Sequence, residues 1–382
     1  MKVSPFQCLT LSGLLGVCLI ATMGSAAFGA PADSKGSGQP AANAGKAVLW
    51  KGYTQTRMYM DEGGPTQLRL ERTSVSATYK ASSINSFYIE GYWQPTLPDL
   101  PVYDKYKVYL ESMFWDCKAG PGTLRFGKGR RQTFGVTPSY PNRKLSNYGI
   151  TAETFTQSRV QGLQYFGVMK EFDFGVGVLT GLHPGTTTSG DLTLASSKRL
   201  GSLGDKDIPT ELSNHPEYSF RAGFKKPSGL RYGVTALTSR LDSEDLTFIR
   251  SKFPGIHNDQ TRNRYGAYVQ APIAPWYFLG EYYEARTSDV GHNGLALTLG
   301  YEPKNKKAMR CYARYDQVNY EGDAIASSQF TWDKSQISFS IVKPIDAKTW
   351  LQLEFEGNME KVPAGGTGAH NDVAFLELFK AF

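Results

Sequence analysis

Phe172-Asp173-Phe174-Gly175-Val176-Gly177-Val178 sets Phe, Phe, Val and Val against Asp, Gly and Gly at every second position. Side chains of an extended chain point alternately to opposite faces, so this spacing is that of a strand with one apolar and one polar face. The pattern recurs. Tyr218, Phe220, Ala222 and Phe224 alternate with Ser219, Arg221, Gly223 and Lys225. Leu230, Tyr232 and Val234 alternate with Arg231, Gly233 and Thr235, and Leu351, Leu353 and Phe355 with Gln352, Glu354 and Glu356. With 40 Gly, 22 Tyr and 21 Phe, the composition favours strands and tight turns over helices.

A soluble sandwich carries the same alternation, so the connections decide between the two architectures. Reading outward from residue 172 places about sixteen strands, the first near 47–60 and the last near 371–382. Every second connection is tight, as at Lys170, Pro227-Ser228 and Ile273-Ala274. The intervening ones are often long, notably 130–158, 181–216 and 241–262. Short turns at one rim and long loops at the other predict an all-β fold, a transmembrane antiparallel β-barrel with short periplasmic turns and long extracellular loops. Leu376, Leu378 and the terminal Phe382 share one face of the last strand, and clusters such as Trp276-Tyr277-Phe278 suit interfacial girdles. The location expected is the bacterial outer membrane.

Residues 1–29 read as a secretory signal peptide: Lys2, an apolar run from Leu9 to Ala27, then the small-x-small sites Ser25–Ala27 and Ala27–Gly29. Residues 30–46, rich in Ala, Gly, Ser and Pro, read as a flexible leader, and 47–382 as the barrel. Removing Lys2 takes the formal charge from +7 to +6. Only Cys117 and Cys311 lie in the barrel, on distant parts of the wall, and read as free thiols.

No catalytic constellation stands out. His183, His215, His257, His292 and His370 fall at the long-loop rim, none within a recognisable nucleophile–base–acid motif. No metal-ligand spacing or phosphate-cradling loop points to a cofactor, and the acids of 241–262 read as a solvated loop face. No nucleic-acid partner is expected. The chemistry left is electrostatic. Sixteen strands leave a wide interior, whose wall carries Arg125, Arg221, Arg231, Arg264, Arg310 and Arg314 together with Lys105, Lys107 and Lys225. Eight acids nearly balance them: Glu90, Glu111, Asp173, Glu281, Asp316, Glu354, Glu356 and Glu377. The strands between 217 and 272 contribute only cations to this tally and the last two only anions, which predicts a field across the lumen.

The connection between the fifth and sixth strands breaks the balance. It reads Arg130-Arg131 at its start, Arg143-Lys144 in its middle and Arg159 at its end, against Glu153 alone. Phe134, Tyr140, Tyr148 and Phe155 give it the means to lie against the inner wall. Folded inward, the five cations form a basic pore constriction, and clustered Arg and Lys select anions.

Several segments, in this order, resemble the phosphate-selective porin family of bacterial outer-membrane channels: Leu68–Arg72, Val108–Trp115, Leu124–Lys128 leading to Phe134-Gly135, Phe174–Gly181, Gly280–Tyr283 and Ala313–Asp316. Where that family commonly carries lysine and then proline before the Phe-Gly pair, this chain has Arg131, Gln132 and Thr133. The resemblance implies a homotrimer, an inward fifth-to-sixth-strand loop and passage of small anionic solutes. The partners expected are therefore outer-membrane lipid, lipopolysaccharide, small anions and two further copies of the chain. A general diffusion porin without selectivity is the alternative; a barrel enzyme at the outer rim and a plugged structural barrel are further ones.

Overall fold

The computed structural model describes residues 48–61, 66–95, 106–189, 200–205, 215–253, 255, 257–368 and 371–382. The signal peptide and leader assigned to 1–46, Lys105, the side chain of Lys107, and His370 lie outside the described residues. The strands in chain order are β1 (Val48–Asp61), β2 (Gln67–Lys80), β3 (Asn85–Pro95), β4 (Tyr106–Ala119), β5 (Gly122–Arg130), β6 (Arg159–Met169) and β7 (Phe172–Thr180). A hairpin of β8 (Pro184–Ser189) and β9 (Leu200–Asp205) stands apart from the wall. Then follow β10 (Pro216–Lys225), β11 (Arg231–Arg240), β12 (Thr261–Ile273), β13 (Trp276–Thr287), β14 (Val290–Tyr301), β15 (Arg310–Tyr320), β16 (Lys334–Pro344), β17 (Thr349–Glu360) and β18 (Val373–Ala381).

Sixteen of these form one closed antiparallel barrel, with β1 paired to β18 from Tyr53↔Ala381 to Asp61↔Val373. Closure removes the sheet edge that lipid could not satisfy. The two faces sort as the alternation requires. Leu68 is 75% exposed, Ile273 68% and Phe126 67%, whereas Glu377, Glu354 and Asp316 are fully buried. An exposed apolar exterior around a polar interior inverts the soluble pattern, and it is the arrangement of a transmembrane barrel. At the short-turn rim, Phe224 meets Phe172 in a T-shaped contact and Tyr232 in a tilted one, and Trp276 meets Tyr301 at 5.3 Å, which builds the interfacial girdle.

Three elements inside the long connections are absent from the sequence reading. A short helix, Ile150–Phe155, sits within the connection from β5 to β6. The β8–β9 hairpin occupies the stretch read as loop 181–216, and every residue of β9 is buried. A second helix, Ser243–Lys252, lies in the connection from β11 to β12. Its Asp242 side chain accepts from the Asp245 amide, and the Asp245 side chain accepts from the Asp242 amide, a reciprocal N-terminal cap. Glu244 and Asp259 of this segment are exposed, as expected of a solvated loop face. Asp245 is instead 2% exposed, because capping consumes its carboxylate and Leu246 and Ile249 pack inward beside it.

Candidate functional site: an arginine-lined loop within the barrel

The segment 131–158 finds its partners on strands around most of the ring. Thr133 Oγ1 meets Ser219 Oγ of β10, and the Val136 and Thr137 amides donate to Glu281 of β13 at 2.9 and 3.0 Å. The Tyr140 hydroxyl donates to Glu377 of β18 at 2.9 Å. The Ser146 and Asn147 amides donate to Glu354 of β17 at 2.6 and 3.1 Å, and Arg314 of β15 donates to the Asn147 carbonyl at 2.9 Å. A single segment reaches polar faces on so many walls only through the interior. Backbone N–H groups taken from water need acceptors, and the inner-wall carboxylates supply them.

Aromatic packing fixes the same course. Phe134 and Phe155 stack on Tyr283 of β13 at 5.5 and 5.3 Å. Tyr140 packs between Tyr53 of β1 and Phe379 of β18 at 5.2 and 5.7 Å. Gly135, at φ +71°, makes a turn that a side chain would oppose, since a Cβ there would lie 2.7 Å from Thr156 Cγ2 and 2.8 Å from the Tyr283 hydroxyl.

The five cations of this connection have three different fates. Arg130 and Arg159 face each other directly across β5 and β6. Like charges opposed across a sheet cost stability, so a fold-only pressure would not place them there. Arg143 joins them from the loop, its guanidinium 3.7 Å from the Tyr148 ring centroid and 4.9 Å from that of Tyr140. Burial alone would raise the Tyr148 phenol, but Arg143, Arg130 and Arg159 together outweigh it and hold its ionisation below the usual tyrosine range, with Glu153 acting against them. The cluster sets three arginines against four carboxylates: Glu111, which pairs with Arg159 Nη2, Glu90, which also acts on Arg159, Glu281, which acts on Arg130, and Glu153 beside Tyr148. Two buried donors, Arg143 Nη1 and Arg159 Nε, have no hydrogen-bond partner.

Arg131 does something else. Its side chain is fully buried, donating to Glu217 at 2.8 and 2.7 Å and to Asp205 at 3.0 Å. It is a strut joining the loop, the β8–β9 hairpin and the wall. Lys144 points to the short-turn rim, where its ammonium lies 2.5 Å from Glu302 and 4.6 Å from the Tyr277 ring.

The wall arginines are mostly neutralised where they stand. Arg125 grips Asp116 through two 2.8 Å bonds and lies 3.5 Å over Phe114. Arg221 and Arg231 share Asp173 at 3.2 and 2.5 Å. Arg264 donates to Asp205 and to the Phe155 carbonyl, and Arg314 contacts Asp316 at 2.5 Å. Arg310, half-buried, keeps its Nε unpartnered.

The expected separation of wall charge into a basic and an acidic arc is overturned. Glu217 lies on the inner face of β10, two residues before Ser219 and four before Arg221, and is fully buried. Across the barrel seam, Arg57 of β1 donates to Glu377 at 2.7 Å, so the acids of the last strands face a cation of the first. Asp205 was missed altogether. It gathers Arg131, Arg262 and Arg264 from a hairpin that carries no strong strand signal. Arg262 was legible, since it lies two positions from Arg264 and so on the same face.

His183 is brought to 2.6 Å from Asp245 Oδ1 and 3.9 Å from Asp242 Oδ2, and His292 stacks between Phe155 and Tyr320. Cys117 and Cys311 are free.

Fold and interior together define a class: a sixteen-stranded transmembrane β-barrel of the bacterial outer-membrane type, with a long connection lining its lumen. Solved structures share this fold. The outer membrane channel DcaP of Acinetobacter baumannii is 10% identical with a TM-score of 0.59, over 89% of this chain and 98% of that one. The anion-selective porin from Comamonas acidovorans is 12% identical with a TM-score of 0.52, over 88% and 100%. The trimer form of OmpT, an outer membrane protein of Vibrio cholerae, is 12% identical with a TM-score of 0.56, over 88% and 100%. At these identities the likeness is one of fold. No protein-family model and no curated protein matches the chain.

Proposed function

We propose that this chain is an outer-membrane porin that passively conducts small hydrophilic solutes with a preference for anions, and that Arg130, Arg143 and Arg159 form its selective constriction. The observation that carries the reading is the convergence of these three arginines on Tyr148, with Arg143 Nη1 and Arg159 Nε left without a hydrogen-bond partner. Stacking on Tyr148 holds the Arg143 guanidinium while leaving Nη1 unpartnered. Guanidinium donors held in this way suit oxyanions, phosphate-like ones included, and a passing ion is bound weakly enough to leave. The sequence resemblance and the trimeric assembly named for OmpT support a homotrimer, its apolar exterior in contact with outer-membrane lipid and lipopolysaccharide.

The pairing of five of the six wall arginines with acids favours a second reading, a general diffusion porin of little selectivity. Reversal potentials across a planar bilayer in a potassium chloride gradient separate the two. Chloride preference supports the proposal. Zero or cation preference rejects it and leaves the diffusion porin.

A further inference from the structure

The outward faces of β16, β17 and β18 form one apolar surface that ends in cations. On β16 the exposed series Ile337, Phe339, Ile341 runs into Lys343, and on β18 the series Leu376, Leu378 runs into Lys380. Register sets Lys343 opposite Leu351 and Leu351 opposite Leu378, so Lys380 lies one outward position nearer the short-turn rim than that row. Strand spacing and rise then separate the two lysine Cα atoms by about 12 Å, a span that two extended lysine side chains close. Lys348, exposed in the turn between β16 and β17, is a third cation at the same corner. Every other outward position on these three strands is uncharged.

The acid of this corner is already spent. Asp346 accepts from the Lys348 amide at 2.7 Å and from the Thr349 hydroxyl at 2.8 Å. It meets Lys380 only at 3.5 Å, with both side chains half exposed. Among the described residues nothing engages the Lys343 ammonium. A lysine on a lipid-facing strand end lays its stem along apolar surface and carries its charge to the headgroup level. We propose that Lys343, Lys348 and Lys380 form a headgroup site for an anionic glycerophospholipid, its phosphate held by the three ammonium groups and its acyl chains running down Ile341, Leu351 and Leu378. Long loops mark the extracellular side of such a barrel, so the lipid belongs to the inner leaflet, opposite the lipopolysaccharide. The apolar row decides the source of the phosphate, because a free phosphate ion would gain nothing from it. The site faces lipid rather than lumen and stands apart from the channel's selectivity.

Native mass spectrometry of the full chain in neutral detergent, titrated with phosphatidylglycerol and separately with phosphatidylcholine, tests the site. The parent should bind the first phosphatidylglycerol about fivefold or more tighter than phosphatidylcholine, and Lys343→Gln, Lys348→Gln and Lys380→Gln combined should bring the ratio below about twofold. The control is Lys304→Gln, Lys306→Gln and Lys307→Gln combined, the same change of charge in the turn between β14 and β15, which should keep the parent's ratio. No preference in the parent would overturn the site. An equal loss in both triple variants would overturn it in favour of the general charge of the rim. Displacement of the lipid by inorganic phosphate at matching concentration would overturn the lipid assignment. If the parent sediments as an oligomer and the Lys343 triple variant as a monomer, the lysines lie between copies of the chain and the lipid site is overturned as well.

Discussion

Replacing Arg130, Arg143 and Arg159 together by glutamine is the most direct challenge to the constriction. Coulomb's law gives about 0.7 kcal/mol between unit charges roughly 6 Å apart in a water-like dielectric. Screening at about 0.1 M salt reduces this to roughly 0.4 kcal/mol. The same potential favours an anion and disfavours a cation, so the permeability ratio responds to twice that energy, roughly fourfold per arginine. Neighbouring charges do not act additively, and the triple variant is expected to lose about tenfold in chloride-over-potassium preference. At about 1 M salt the Debye length falls to about 3 Å and the difference between variant and parent should nearly vanish. The assay is the reversal potential in potassium chloride gradients at both ionic strengths. A triple variant that opens channels of normal size with the parent's reversal potential at low salt would refute the assignment. A change that persisted undiminished in high salt would show that the arginines act through structure rather than field.

Arg131→Met should behave in the opposite way. It leaves Glu217 and Asp205 buried with one cation fewer, a defect of about 3–5 kcal/mol, eased by Arg264, which still donates to Asp205. Urea unfolding of the detergent-refolded barrel should register the loss while reversal potential in surviving channels stays put. Gly149→Ala would set a Cβ within the Asp316 carboxylate and should loosen the loop, seen as faster tryptic cleavage after Arg143 or Lys144 than in the parent. Alkaline pH offers another handle. The Tyr148 phenol ionises below its ordinary value of 10.0, so as pH rises through that range a negative charge appears among the arginines and anion preference should fall. Tyr148→Phe should abolish that fall, and a Phe variant with the parent's alkaline profile would place the titration elsewhere.

What the sequence made legible follows from which forces are local. A strand with one face in lipid and one in the lumen must alternate, so Phe172–Val178 and its repeats fixed the strand class and the ring of sixteen without any tertiary information. The inner lining obeys no such rule. Arg131 and Arg143 read alike in the chain, yet one is a buried strut and the other stacks on Tyr148 with a donor to spare. The difference lies in Glu217 and Asp205, placed by a strand and a hairpin 86 and 74 residues further along. A charge tally over the wall therefore overstates the field, because pairing cancels cations one by one: Arg125 on Asp116, Arg221 on Asp173, Arg264 on Asp205, Arg314 on Asp316. Selectivity has to come from cations whose donors remain after the fold has taken its share. Tyrosine stacking is a means of keeping them, since it orients a guanidinium without consuming its in-plane N–H groups. On that argument the residue to watch in the loop is Tyr148 as much as any arginine, because it holds Arg143 in place and lies where Arg130 and Arg159 converge.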